Sequence, residues 1–317
     1  MSDRVCAMVM TWNRRELLRR CLRSLQAQTR PPDEILIVNN GSTDGTREML
    51  RREFPRYPVL DAPRNHGASW GYHQGIKWGY REGFDWVWVI DDEGYAVPDC
   101  LERLLAHRRP NAVLVPVKRD SGGHAYGIAA WRRRNVDVTA EVLARGGPVG
   151  GDFLFDFTAP LIHREVVARA GLPNKAFVIW FDDYEYALRA RRAAGTEVVN
   201  IPDAVFFHDF GRNTRAVRFL GKRSMRSDLP AWKLYYGARN PLYTLLRARR
   251  RPDELAIFLL VQSRLLLMDV LYERDRRERV RMRLLGLRDG VLGRLGQRVS
   301  ATAAPAPAAR DRVPSAG

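Results

Sequence analysis

The 317-residue chain carries 53 Lys plus Arg against 36 Asp plus Glu, a net charge of +17, with 45% hydrophobic and 10% aromatic residues. That apolar content excludes wholesale disorder and a collagen-like fibre, and the length suits one large or two modest domains. Three cysteines, Cys6, Cys21 and Cys100, with no C-x-x-C spacing, support neither a secreted disulfide scaffold nor a zinc finger and read as reduced thiols.

The start, Met1-Ser-Asp-Arg4, lacks the charged and apolar regions of a signal peptide, so a cytoplasmic location is expected. Residues 5–10 (V-C-A-M-V-M) predict a buried strand, and residues 14–28 set Leu17, Leu18, Cys21, Leu22 and Leu25 at helical spacing. Pro31-Pro32 stops that helix; residues 34–38 (E-I-L-I-V) predict a second buried strand, ending in the turn-rich N-N-G-S-T-D-G of 39–45. A helix over 46–54, a short strand at 59–60 and a helix over 69–81 follow. The strand W-V-W-V-I of 86–90 then runs directly into Asp91-Asp92-Glu93. A helix is expected over 101–107, a strand over 112–117, movable glycine-rich loops within 120–151, a helix over 183–194 capped by Gly195, and strands over 197–201 and 204–208. The alternation predicts an α/β fold with a mainly parallel central sheet, with acids at the carboxyl end of a central strand, where open α/β sheets place their ligand crevice.

Beyond residue 213 helices are expected at about 230–249 and 253–285, and the Ala/Pro-rich stretch 301–317 reads as a disordered tail. The most apolar run, 255–272, is interrupted by Gln262, Arg264 and Asp269, so no bilayer-spanning helix is expected.

Three polar clusters fall at strand ends. Thr11 to Arg14 and Asn39 to Asp44, the latter with Gly41 and Ser42, can hydrogen-bond a base and ribose and admit a phosphate, or serve as ordinary turns. Asp91, Asp92 and Glu93 repel one another after an apolar strand, and either a divalent cation or a solvated turn would relieve them. Asp182 and Asp183, in W-F-D-D-Y-E, can cap a helix or supply a general base, and His208 can pack or ligate a metal.

The ordered set V-M-T-W-N-R (9–14), C-L-R-S-L-Q-A-Q-T (21–29), E-I-L-I-V-N-N-G-S-T-D-G-T (34–46), R-N-H-G (64–67), V-I-D-D-E (89–93) and W-F-D-D-Y-E-Y-A-L-R-A (180–190) resembles the inverting glycosyltransferases of family 2, with a GT-A fold. The resemblance covers about residues 4–240 and is greatest to bacterial galactofuranosyltransferases and their rhamnosyltransferase-like relatives. It implies that Thr11, Arg14, Asn39 and Asn65 line a nucleotide site. Asp91, Asp92 and Glu93 take the D-x-D position that holds Mn²⁺ or Mg²⁺ against a donor diphosphate. By the same likeness His208 matches a metal-ligating histidine, and Asp183, or else Asp182, the catalytic base. Asn39 stands where the family has Asp, keeping an acceptor and losing a charge; Glu93 stands where the family has a third Asp and is one methylene longer.

The charge is uneven: residues 210–317 hold 24 Lys plus Arg and 9 Asp plus Glu, a net +15, and residues 1–209 hold 29 and 27, a net +2. A glycosyltransferase domain over 1–213, a basic helical region over 214–300 and a tail over 301–317 are therefore expected. The basic region, with apolar residues such as Phe258, Leu259, Leu266 and Val270, suits either core packing or the surface of an anionic membrane. The expected partners are a UDP- or dTDP-linked sugar donor and a glycan or polyprenyl-diphosphate-linked acceptor of cell-envelope synthesis, with a soluble acceptor as the alternative. Trp232, Tyr235, Tyr236 and Tyr243 sit in this basic region, yet no helix-turn-helix or RNA-binding signature supports nucleic acid.

Overall fold

Residues 5–11 are apolar at nearly every position, so both faces of the strand they form must be covered, the signature of a central parallel strand. The computed structural model describes residues 3–130, 136–209, 214–219, 222–227, 229–247 and 252–300. In chain order its elements are β1 (Val5–Thr11), α1 (Arg15–Gln26), β2 (Glu34–Asn39), α2 (Thr46–Glu53), β3 (Val59–Asp61), α3 (Ala68–Arg81), β4 (Trp86–Asp91), β5 (Tyr95–Ala96), α4 (Cys100–Ala106) and β6 (Ala112–Arg119). Short pieces follow: β7 (Ala125–Tyr126), β8 (Ala129–Ala130), β9 (Val136–Asp137), α5 (Thr139–Leu143), β10 (Val149–Gly151), β11 (Leu161–His163) and α6 (Arg164–Ala170). The rest are α7 (Asp182–Ala194), β12 (Glu197–Phe207), β13 (Thr214–Phe219), β14 (Lys222–Ser227), α8 (Ala231–Arg247), α9 (Pro252–Tyr272) and α10 (Arg276–Leu292).

The main sheet runs β10-β12-β6-β11-β4-β1-β2-β3. Its centre is parallel, with β1 between β2 and β4, and β11 enters antiparallel between β4 and β6. Alternation along β1 sorts the two cores. Val5, Ala7 and Val9 pack with α1, α2 and α4, whereas Cys6, Met8 and Met10 pack with α3, α6 and α7. The register pairs Thr11 with Asn39 and Met10 with Asp91, so the first two polar clusters leave the sheet at one edge. All three cysteines are buried and free.

Several expectations change. The two strands placed at 197–201 and 204–208 are one strand, β12, with a bulge between Ile201 and Val205 where Pro202 cannot donate to the ladder. β11 and the hairpin β13–β14 were not anticipated, and loop region 120–151 contains short strands and α5. The long helix expected over 253–285 is two helices, α9 and α10, separated at 273–275. Folding back lets buried Asp269 of α9 meet Arg279 and Arg283 of α10 and Arg226 of β14. Gln262 bonds Arg283 and is buried with Asp269, whereas Arg264 is exposed; α9 is 21 residues long, and against expectation it is long and apolar enough to cross a bilayer, with mean hydropathy 1.8 over an 18-residue window. The tail 301–317 lies outside the described residues.

α10 packs on α8 at close range through Gly286 and Gly290, where a Cβ would press on the carbonyls of Tyr235 and Arg239. Gly286→Leu would force these helices apart. Overpacking of this kind costs about 1–3 kcal/mol, and we expect urea unfolding to show a lowered midpoint at unchanged slope.

Candidate active site

The carboxyl end of β4 delivers Asp91, Asp92 and Glu93 to the cleft edge. Their repulsion is answered from within the chain. Arg14, just after β1, sets its Nη1 3.0 Å from Asp92 Oδ1 and 3.7 Å from Asp91 Oδ1, and its Nη2 pairs with Glu93. Burial opposes the guanidinium charge, but Asp92, Glu93 and Asp91 outweigh it and hold Arg14 more firmly protonated than usual. Asp92 is buried and accepts a 2.6 Å hydrogen bond from Thr11 Oγ1. Burial and the charge of Asp91 push its carboxyl up, against Arg14 and Thr11. His208, at the end of β12, points Nε2 toward Glu93 Oε2 at 3.9 Å, while its Nδ1 lies 2.8 Å from the Tyr126 hydroxyl.

Among the described residues no three acidic, thiol or imidazole groups converge to ligate one ion as they stand, because the carboxylates turn on Arg14. The donor types nonetheless suit a hard cation: Asp91 and Glu93 offer carboxylates, His208 offers an imidazole, and the space among them already holds a positive charge. Asp92 is committed to Thr11 and Arg14.

The two loops assigned to the nucleotide hold each other. Ser42 Oγ accepts from Asn13 N–H at 3.0 Å and Asp44 Oδ2 from Arg15 N–H at 3.0 Å, while Asp44 Oδ1 caps Thr46. Gly41 is left-handed (φ 75°) and pressed against the Arg64 backbone, a place with no room for a Cβ. Thr11 and Asn39 are fully buried, and Asn39 spends its amide on Asp61 at 2.6 Å and on Ser42 N–H at 3.2 Å. These residues shape the loops from behind; of the expected donor contacts, Arg14, Asn65 and Asp91 line the cleft. Asn40, which was not singled out, lines it as well, bridging Asn65 and the Gly67 carbonyl. Its adjacency to Asn39 was the only sequence signal.

The third cluster shares with the other two a cleft of about 580 Å³, lined by Arg14, Asp91, Glu93, Trp180, Asp182 and Asp183 among others. The approach to α7 is strained. Val178 (φ 72°), Trp180 (φ 64°) and Phe181 (φ 69°) are all left-handed, and Ile179 N–H donates to the Phe177 carbonyl, closing a γ-turn of the rare hand. Two buried side chains of α8 hold this backbone. Arg239 donates to the carbonyls of Ala176 and Phe177; Asn240 Nδ2 donates to those of Phe177, Ile179 and Trp180 at 3.1, 2.9 and 2.8 Å. Sequence reading missed both, since neither lies near a chemical motif.

The turn so fixed sets two carboxyls side by side. Burial raises Asp182 to about 6; its Oδ2 is buried with no hydrogen-bond partner among the described residues. Burial, then the charges of Asp182 and Asp156, raise Asp183 to about 8, while its Oδ1 accepts from Tyr184 N–H at 2.6 Å. A carboxyl held near neutrality at a cleft wall is suited to accept a proton.

Residues 6–161 match the family described as Glycosyl transferase family 2. The chain carries a family 2 glycosyltransferase domain. Its similar curated relatives include the galactofuranosyltransferase GlfT1 of Mycolicibacterium smegmatis, 27% identical over 201 residues, covering 61% of this chain and 67% of the relative. The Mycobacterium tuberculosis GlfT1 is 26% identical over 264 residues, covering 77% and 83%. An uncharacterized glycosyltransferase of Haemophilus influenzae is 27% identical over 235 residues, covering 70% and 80%. Among solved structures, GalNAc-T7 with UDP, GalNAc and Mn²⁺ aligns with a TM-score of 0.52 at 15% identity, over 81% of this chain and 53% of that one. The chain thus spans about half of that protein's length, and the likeness establishes the GT-A-type fold.

For this glycosyltransferase domain, the carbonyl clamp from α8 predicts a separation of effects. Asn240→Ala should lower the transfer rate about 10- to 100-fold, the scale of a misplacement near 1 Å, while nucleotide affinity by calorimetry stays near the wild-type value.

Proposed function

We propose that the cleft transfers a glycosyl group, galactofuranose in preference to rhamnose, from a UDP- or dTDP-linked donor to a hydroxyl of a glycan or polyprenyl-diphosphate-linked acceptor, with inversion. The carrying observation is that two acidic groups line one cleft, Asp91 and Glu93 beside Arg14 and Asp182–Asp183 at the start of α7. The GlfT1 relatives support the choice of sugar.

In this reading Asp183 takes the proton of the acceptor hydroxyl, that oxygen forms its bond to the anomeric carbon, and the bond to the donor diphosphate breaks on the opposite face, its electrons leaving with the phosphate. Asp182, buried beside it, keeps Asp183 basic through its charge. Arg14 is the resident cation at the diphosphate end. Mn²⁺ or Mg²⁺, bound by Asp91, Glu93 and His208, would neutralise charge on the departing diphosphate.

A base must be deprotonated to act, so kcat/KM should rise with pH up to about 8 and level off above. Asp183→Asn should cut transfer by about 10²–10⁴-fold, the usual worth of such a base, and abolish this rise; turnover retained in that variant would sink the assignment. Folding provides the control. A carboxyl raised above its unfolded value of about 3.9 favours the native state at lower pH and costs stability as pH climbs toward 8. Asp183→Asn should therefore melt at or above the wild-type temperature at pH 8.

The same reading assigns the C-terminal region to a membrane holding the acceptor, with the enzyme peripheral on the cytoplasmic face. Ile257, Leu259, Leu260, Val261, Leu267 and Leu271 of α9 are exposed, Leu260 by 71%, and exposed Arg276, Arg277 and Arg281 stand on neighbouring α10. Asp269, pinned among three arginines, ties α9 to the protein and favours lying in the interface over crossing it. The full chain should float with vesicles containing anionic lipid and detach in high salt; equal flotation with neutral vesicles would refute the charge contribution.

A further inference from the structure

The cleft wall beside Trp180 includes α8, which contributes Trp232, Lys233 and Tyr236. Lys233 is half-buried there, and among the described residues no carboxylate lies within ion-pair distance of it. Its Nζ instead lies 5.7 Å from the ring centre of Trp180 and 5.6 Å from that of Trp232. Burial lowers its proton affinity, Arg14 lowers it further, and Glu93 partly restores it, so Lys233 senses both charges of the donor end. The two cations of the cleft differ in one respect. Arg14 is spent on three carboxylates, whereas Lys233, among the described residues, has ring faces and no ion pair, and ring faces compensate a desolvated ammonium in part.

The position of Lys233 is also built. Trp180 lies over Gly237, one turn along the same face of α8, and its carbonyl is held by Asn240, so ring and ammonium are set by one helix. A cation kept in a cleft, walled by two indoles and lacking a protein anion, lowers its energy when a ligand brings one. The ligand must carry strong acceptor oxygens and fit beside a donor site, which is the chemistry of a phosphate.

We propose that Lys233, flanked by Trp180 and Trp232, is a phosphate-binding residue of this cleft. The assignment rests on reading the cleft as the transfer site. The phosphate belongs either to the donor diphosphate or to the diphosphate that carries a lipid-linked acceptor.

The test is equilibrium binding to the full-length protein, read by calorimetry with Mg²⁺ present, using UDP, farnesyl diphosphate and uncharged farnesol as probes. Lys233→Met should weaken UDP or farnesyl diphosphate by about 10-fold or more, as expected for a lost charge-assisted hydrogen bond, and leave farnesol unaffected. Lys233→Arg, which keeps the charge, should retain most of the affinity and shows that the loss is not one of folding. A loss with UDP assigns the donor, and a loss with farnesyl diphosphate assigns the acceptor. Wild-type affinity of Lys233→Met for both, an equal loss for farnesol, or no binding of either phosphate probe to the wild type would overturn the proposal. Because binding is read without turnover, failure of the transfer assignment, tested by Asp183→Asn kinetics, stays distinguishable from failure of this one.

Discussion

The grip of Arg239 and Asn240 on the carbonyls of residues 176–180 is the constraint on which the reactive end of the cleft depends. Left-handed conformations at Val178, Trp180 and Phe181 cost about 1–3 kcal/mol each and persist only where surroundings over-determine them. Two fully buried donors on α8 supply that determination. α8 in turn is seated by α10 through Gly286 and Gly290, and α10 is tied to α9 and β14 through Asp269. A line of contacts therefore runs from the C-terminal helices to the Asp182–Asp183 turn. The C-terminal region is part of the scaffold that aims the carboxyls.

Electrostatics divide the cleft unevenly. The acids at the end of β4 are balanced internally by Arg14. Burial raises both Asp182 and Asp183, with the charge of Asp182 adding to Asp183, and Lys233 stands beside two indole rings. The cleft thus holds a buried acid pair with raised proton affinity and a half-buried cation beside two ring faces. The basic excess of the last third also changes meaning, since Arg226, Arg239, Arg279 and Arg283 are buried and structural. Among the described residues, Arg276, Arg277 and Arg281 present charge to solvent.

Much of the fold was legible because its causes are local. Apolar runs such as 5–10, 34–38 and 86–90 are strands buried on both faces, and the leucine spacing of α1 repeats within one segment. Acids at strand ends follow from the same reading. β11 was missed because three residues, Leu161 to His163, carry no period of their own and become a strand only between β4 and β6. The α9–α10 break was missed because nothing in the intervening residues halts a helix; the chain turns where Asp269 can meet its arginines.

The amino-acid sequence by itself determined the order of strands and helices, the family motifs and which acids reach the edge of the sheet, since periodicity and spacing are properties of neighbouring residues. The tertiary structure alone decided what each polar group spends itself on: Thr11 and Arg14 on Asp92, Asn39 on Asp61, Asn240 on the carbonyls before Asp182. These partners lie 22 to 81 positions apart along the chain. Buried hydrogen-bonding groups must be satisfied by whatever the packed fold brings within reach, and no local pattern encodes that choice.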